Sequence, residues 1–253
     1  MGKIVKELLK LLAYFYGFFW RILNYRKPKI FVFTDSRGFE ITKWYNRFSP
    51  WNSYIGMLCR NYNVKFVIQP EKHTTIFDFL ESNKDLDFKR FSTIILHCGV
   101  VDFSPRPYDD YVKVAESKRD KIIRLFGSDY WVSLIARESL GSVYNGQGTL
   151  PLVDEMLARP VFNRLEEMEN LLWIPSNRVL SDWRGNYWRD RPSDINLVWS
   201  TSRSLVKRRS IRFIDNLAWS DEEVKLYTVD NIHFSLDGMQ MLFNEIKSCI
   251  DES

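Results

Sequence analysis

The sequence predicts an α/β fold built on a five-stranded, mainly parallel sheet. Three observations carry this. A short continuous apolar run at residues 30–33 and largely apolar runs at 64–68 and 93–98 end in polar or glycine-containing turns, as buried strands do. Stretches with helical spacing separate these runs, and strand-helix-strand alternation places helices on both faces of a parallel sheet. At 253 residues with 45% apolar composition, the chain is long enough to bury one substantial core.

The elements follow in chain order. Residues 1–27 are expected to form an amphipathic amino-terminal helix. Its uninterrupted apolar run, residues 11–20, is bounded by Lys10 and Arg21 and is too short to span a bilayer comfortably. No small-residue cleavage site follows it, so the segment is read as retained. On a helix, Lys3, Lys6, Lys10, Gly17 and Arg21 fall near one narrow stripe, leaving a broad face of Leu, Ile, Phe, Tyr and Trp. Two readings stay open for residues 3–25: attachment at the headgroup boundary of an anionic membrane, or packing against this protein or a second copy.

After the Lys27-Pro28-Lys29 breaker, residues 30–33 make the first strand, ending in the polar turn Thr34-Asp35-Ser36-Arg37-Gly38. A helix over 52–62, a strand over 64–68, a helix over 74–81 and a strand over 93–98 come next. From 109 to 170 the periodicity is mostly helical, interrupted by GSVYNGQG at 141–148 and by Pro151 and Pro160. Residues 171–174 give a fourth strand, 193–209 a helix, 211–214 a fifth strand, and 234–250 a closing amphipathic helix. Residues 28–253 thus read as one domain, with a helical and aromatic-rich insertion around 109–200.

Charged residues make up 27% and the formal net charge is +4, without the cationic blocks of a nucleic-acid binder. Cys59, Cys98 and Cys249 are odd in number, far apart and outside any metal-ligand spacing. His73, His97 and His233 lack the paired helical spacing of a zinc enzyme. No metal or cofactor is expected. Buried thiols suggest a reducing compartment, so the expected location is cytoplasmic, peripheral to the inner face of the membrane if the amino-terminal helix rests there.

Reactive groups of an open parallel sheet collect in loops at the carboxyl ends of its strands. Three loops here carry suitable chemistry: the turn holding Ser36, the segment Gly99 to Asp102, and Asp230-Asn231-Ile232-His233. A serine hydroxyl is a poor nucleophile at neutral pH. It needs a base within hydrogen-bond reach and a third group to fix the base's tautomer. The D-x-x-H spacing lets Asp230 reach one imidazole nitrogen of His233 while the other points towards Ser36. Asp102 is read as a structural residue holding loops by hydrogen bonds, and His97, on a buried strand, as a core residue.

These segments resemble a known pattern. IFVFTDSRG looks like the nucleophile block of the SGNH (GDSL-like) hydrolase superfamily, HCGVVDF like its third block, and VDNIHFSLDG like its D-x-x-H block, in matching order. The resemblance implies a flavodoxin-like three-layer α/β/α sandwich. It also implies hydrolysis or transfer of an ester-linked acyl group by Ser36, His233 and Asp230. The chain departs from the pattern at the oxyanion donors. FVIQPEKHTTIFDFL has no glycine where the second block would place one, Val101 stands where the third block has asparagine, and Thr34 stands where the first has glycine. Losing one such donor typically costs about two to three orders of magnitude in turnover. Arg37, Gly99, Arg106 and His73 are the candidate oxyanion or substrate-binding groups, with Arg106 placed first.

Trp173, Trp183, Tyr187, Trp188 and Trp199, interspersed with Arg184, Arg189 and Arg191, suit stacking on carbohydrate rings as well as core packing. The expected activity is therefore that of a serine esterase or acyltransferase acting on O-acyl, in particular acetyl, groups of a sugar or polysaccharide. The rival expectation is a catalytically weak module of the same fold that binds glycan or protein within a membrane-associated assembly.

Overall fold

The computed structural model describes residues 3–46, 49–69, 73–138, 141–185, 190–208 and 210–252. The side chains of Lys3 and Lys6 lie outside what is described, as do Lys72, Tyr187, Trp188 and Arg189. Helix α1 (Lys3–Leu23) leads into strand β1 (Lys29–Thr34), then α2 (Tyr54–Asn61), β2 (Asn63–Ile68), α3 (Ile76–Ser82) and β3 (Thr93–His97). The short α4 (Val100–Phe103), β4 (Arg106–Pro107), α5 (Tyr108–Phe126), α6 (Ser128–Ile135), β5 (Val143–Tyr144), β6 (Gln147–Leu150) and α7 (Glu155–Glu166) come next. The chain closes with β7 (Leu171–Trp173), α8 (Leu197–Lys207), β8 (Arg212–Phe213), α9 (Asp221–Tyr227) and α10 (Leu236–Asp251).

Five strands form one sheet in the order β2-β1-β3-β7-β8, every neighbouring pair parallel. Numbered along the sheet's own strands this is 2-1-3-4-5, the flavodoxin-like order, which reverses direction between β1 and β3. The continuous apolar runs have their reason here: every residue of β3 is buried, and β1 is buried beyond Lys29. One face packs Phe31, Phe33, Ile94 and Leu96 against the α3, α5 and α7 side. The other packs Ile30, Val32 and Ile95 against Tyr54 and Leu58 of α2 and Leu242 and Ile246 of α10. Parallel register sets Thr34 beside Ile68 on one side and His97 on the other, so the loops after β1 and β3 leave the sheet together.

Two expectations are corrected. Pro160 does not break its helix: α7 runs through it, capped by Asp154, whose side chain accepts the Leu157 amide at 2.8 Å. The lost backbone bond, worth roughly 3 kcal/mol in an isolated helix interior, is offset by burial of Leu157, Ala158, Val161, Phe162 and Leu165. The helix expected from residue 193 begins only at Leu197, because Asn196 turns back to bond the Val179 backbone in both directions. GSVYNGQG is a two-residue hairpin with Asn145 and Gly146 at φ 52° and 77°. It joins β4 to form a small antiparallel sheet, β4-β6-β5, beside the main one.

Helix α1 docks through a narrow stripe. Ala13 and Gly17 are buried, and a Cβ at Gly17 would lie 2.6 Å from the Phe66 ring. The Tyr16 hydroxyl donates to the Gly56 carbonyl (3.2 Å) and Asn24 Nδ2 to the Cys59 carbonyl (2.9 Å). Gly17, which shares its narrow stripe with Lys10 and Arg21, meets the sheet at Phe66. No described helix is long and apolar enough to cross a membrane.

Candidate active site

The end of β1 turns sharply. Ser36–Gly38 is one turn of 3-10 helix, with Gly38 N donating to Asp35 O (3.2 Å) and Asp35 N to His97 O (3.0 Å). Gly38 is required there, since a Cβ would come within 2.4 Å of the Thr34 hydroxyl and methyl. Thr34, the residue that departs from the resembled nucleophile block, fits because Gly38 leaves it room.

The turn rests on a buried ion pair. Arg37 is 1% exposed; its Nε and Nη2 donate to the Asp35 carboxylate at 3.1–3.2 Å, and Nη1 donates to the Pro175 carbonyl at 3.1 Å. Arg37 was a candidate for facing an oxyanion. The structure corrects this: its guanidinium is engaged beneath the turn by the carboxylate two residues earlier.

Asp230 and His233 lie in the loop between α9 and α10. Val229 N donates to His233 O at 2.8 Å, and Asn231 adopts φ 71°. This brings Ser36 Oγ within 3.0 Å of His233 Nε2, and His233 Nδ1 within 2.9 Å of Asp230 Oδ2. The other carboxylate oxygen accepts the amides of Ile232 (3.1 Å) and His233 (2.7 Å). Burial alone pushes the Asp230 carboxyl upward, but the His233 ring and these two amides outweigh it and hold its pKa below the usual carboxylate range. Its contribution to stability is therefore present above the unfolded value, about pH 3.9, and is lost as pH falls through the lower folded value.

Contacts that sequence reasoning did not foresee hold this loop. Asn231 Oδ1 accepts Leu180 N (2.8 Å), its Nδ2 donates to Trp183 O (2.6 Å), and Asn177 Nδ2 donates to Asn231 O (2.9 Å). Gly185, at φ 62°, lies so close that a Cβ would come within 2.1 Å of the Val229 carbonyl. Arg191 Nη2 donates to the Asp230 carbonyl at 3.1 Å. An asparagine next to a D-x-x-H pair, able to take the left-handed conformation, was the signal available. Trp183, Arg184 and Arg191 line a cavity of about 250 Å³ reaching Asp230, whereas Trp173 is core, its Nε1 donating to Cys98 O at 3.0 Å.

His97 lies beneath the three groups. Its Nδ1 is 3.0 Å from the Tyr54 hydroxyl and its ring packs on Phe234, with centroids 5.4 Å apart. Burial, with Arg37 and His233 nearby, drives its pKa well below the ordinary value, so the ring is neutral. Gly99, at φ 124°, starts α4 on the same end of the sheet, and His73, at φ 73°, precedes α3. Arg106 Nη2 donates to the Val101 carbonyl, and burial lowers its pKa to about 10, which leaves it cationic at neutral pH.

Asp102 ties α4 to α3, accepting the Ile76 amide at 3.0 Å through Oδ1, while Oδ2 has no partner among the described residues. Burial pushes it up to about 7. The fold thus holds this proton more tightly than the unfolded chain, whose value is about 3.9. Stability is fully present below the unfolded value and is lost as pH rises through about 7. Asp102→Asn keeps the Oδ1 acceptor and removes the charge. It is expected to raise stability at pH 8 on the order of 1–3 kcal/mol and to flatten the fall between pH 5 and 8. Urea unfolding at both pH values measures this, and an unchanged pH slope in the variant would contradict it.

No family model and no curated protein matches the chain. Among solved structures it is similar to the acetyl xylan esterase AlAXEase, at 15% identity over 87% of this chain and 98% of that one, with a TM-score of 0.46. It is also similar to the lipase/acylhydrolase from Enterococcus faecalis, at 14% identity over 89% and 96%, TM-score 0.49. A third is phospholipase A1 from Streptomyces albidoflavus NA297, at 11% identity over 88% and 99%, TM-score 0.49.

Proposed function

We propose that the chain is a divergent SGNH-type serine esterase or O-acyltransferase acting on O-acyl groups, chiefly acetyl, of a sugar or polysaccharide. The observation that supports this reading most is the unbroken relay from Ser36 Oγ through the His233 ring to Asp230, at 3.0 and 2.9 Å. Ser36 Oγ attacks the acyl carbonyl carbon while His233 Nε2 takes its proton. Collapse of the tetrahedral intermediate breaks the ester C–O bond, and His233 returns that proton to the leaving alkoxide. Water then regenerates the serine in an esterase, and a sugar hydroxyl does so in a transferase. Asp230 fixes the ring's tautomer and stabilises the imidazolium.

The developing oxyanion meets the Ser36 amide, with Gly99, Arg106 and His73 as the groups for further stabilisation. The cavity lined by Trp183, Arg184 and Arg191 suits a sugar ring, with an indole and two arginines among its lining residues. Residues 3–25 add attachment to an anionic membrane surface.

Labelling with a fluorophosphonate, which phosphonylates activated serines, tests the reading. Wild type is expected to label at Ser36, and Ser36→Ala and His233→Ala to lose the label while retaining the wild-type circular dichroism spectrum. Folded wild type that stays unlabelled would favour the binding-module alternative, to which the missing family glycine and asparagine donors also point.

A further inference from the structure

We infer that α1 is a rigid keel that holds the protein on an anionic lipid surface with its strands lying along that surface, so that the ester substrate is one presented there. The inference rests on the esterase reading for its substrate and on α1 alone for its docking.

The helix divides into two faces. One is clamped to the protein by Ala13, Tyr16, Gly17 and Asn24. It is reinforced by Arg60 Nη1 donating to the Tyr16 hydroxyl at 3.0 Å and by Trp51 packed edge-on against Tyr16, centroids 6.2 Å apart. The opposite face leaves Leu8, Leu11, Phe15, Phe18, Phe19 and Ile22 each more than 50% exposed along the whole helix. A continuous apolar band of this kind in water marks an interaction surface.

The direction of the helix follows from its contacts. Asn63 Nδ2 donates to Tyr25 O at the start of β2, and Gly17 meets Phe66 three residues further along that strand. The helix therefore runs backwards along β2. Tyr25 lies just beyond the helix, and the six residues from Gly17 to Leu23 rise about 9 Å where three of strand rise about 10 Å, so the helix runs broadly antiparallel to β2. With β2 ending at Ile68, residues 3–12 project past the carboxyl end of the sheet, the end that carries Ser36.

Three features favour lipid over a second copy of the helix. The exposed band is broad as well as long, since Val5, Leu12, Phe19 and Leu23 widen the Leu8, Leu11, Phe15, Phe18, Ile22 row beyond the narrow seam of a helix pair. Its flank is basic, with exposed Arg21, Arg26, Lys27 and Lys29 against the single acid Glu7, which pairs with Lys10. Outside the helix, Trp44 and Tyr45 stand exposed and edge-on to each other, centroids 5.6 Å apart, in the loop that holds Trp51, adding aromatics suited to a headgroup boundary.

Co-sedimentation with phosphatidylcholine–phosphatidylglycerol vesicles tests the docking. Wild type is expected to bind, with binding roughly tenfold or more weaker on phosphatidylcholine alone. Phe15→Gln/Phe18→Gln, which alters only exposed side chains, is expected to bind at least about tenfold less with an unchanged thermal midpoint. The same variant is expected to hydrolyse a water-soluble acetate ester at the wild-type rate but an ester embedded in the vesicles about tenfold more slowly. Folded wild type that fails to sediment overturns the inference, as does a concentration-dependent dimer abolished by the variant without vesicle binding. Equal response of the soluble and embedded esters overturns the presentation of substrate at the surface. Sedimentation with no hydrolysis of either ester instead defeats the esterase reading and leaves the docking intact.

Discussion

Asp230→Asn is expected to lower kcat for a chromogenic acetate ester by roughly four orders of magnitude while leaving the fold in place. The carboxylate receives the His233 ring N–H at Oδ2 and two backbone amides at Oδ1. An asparagine can keep the amide bonds through its carbonyl oxygen, but its NH₂ then faces Nδ1. That nitrogen must become an acceptor, which moves the ring proton to Nε2, the atom 3.0 Å from Ser36 Oγ. The base then holds a proton where it needs a lone pair, and the imidazolium formed during attack loses its counter-charge. A fall of less than about tenfold would place catalysis elsewhere. Ser36→Ala sets the floor: without the nucleophile no acyl-enzyme forms, and only the small residual catalysis of the remaining site over water is expected.

How much of this was legible in the sequence depended on whether the information was local. The runs IFVF and TIIL read as strands because burial on both faces demands uninterrupted apolar residues, and the sheet confirms them within a residue or two. That Ser36, Asp230 and His233 come together was legible because these residues sit at strand and helix ends, where a parallel sheet gathers its loops. Helix boundaries near Pro160 and Asn196 were not, since both are decided by distant partners: a buried apolar face in one case and the Val179 backbone in the other. Arg37 was misread for the same reason. Its position in the turn that carries Ser36 argues for exposure, and only the folded chain shows Asp35, Pro175 and Ser176 closing around it. The tryptophans divided likewise. Trp173 is core, Trp199 is half-buried with its Nε1 on the Leu217 carbonyl, and Trp183 lines the cavity beside Asp230.

That misreading points to the second large effect, on stability. Arg37→Met is expected to destabilise the fold by about 3–5 kcal/mol, because it removes one partner of a buried pair and leaves the Asp35 carboxylate, 3% exposed, without its counter-charge. The methionine fills much of the same volume, so the loss reports charge and hydrogen bonding more than a cavity. The Pro175 carbonyl loses the guanidinium as well, though Asn216 Nδ2 still donates to it at 2.8 Å. Because Asp35 also accepts the Arg37 amide at 2.9 Å and so shapes the turn that carries Ser36, the variant is expected to lose ester turnover together with stability. Urea unfolding measures the first effect and acetate ester hydrolysis the second. The double variant Asp35→Asn/Arg37→Met separates charge from shape: with no carboxylate left to strand, it is expected to unfold at a higher urea midpoint than Arg37→Met alone. If Arg37→Met cost less than about 1 kcal/mol, the pair would behave as a solvated surface bridge, and the turn beneath Ser36 would owe its shape to the backbone alone.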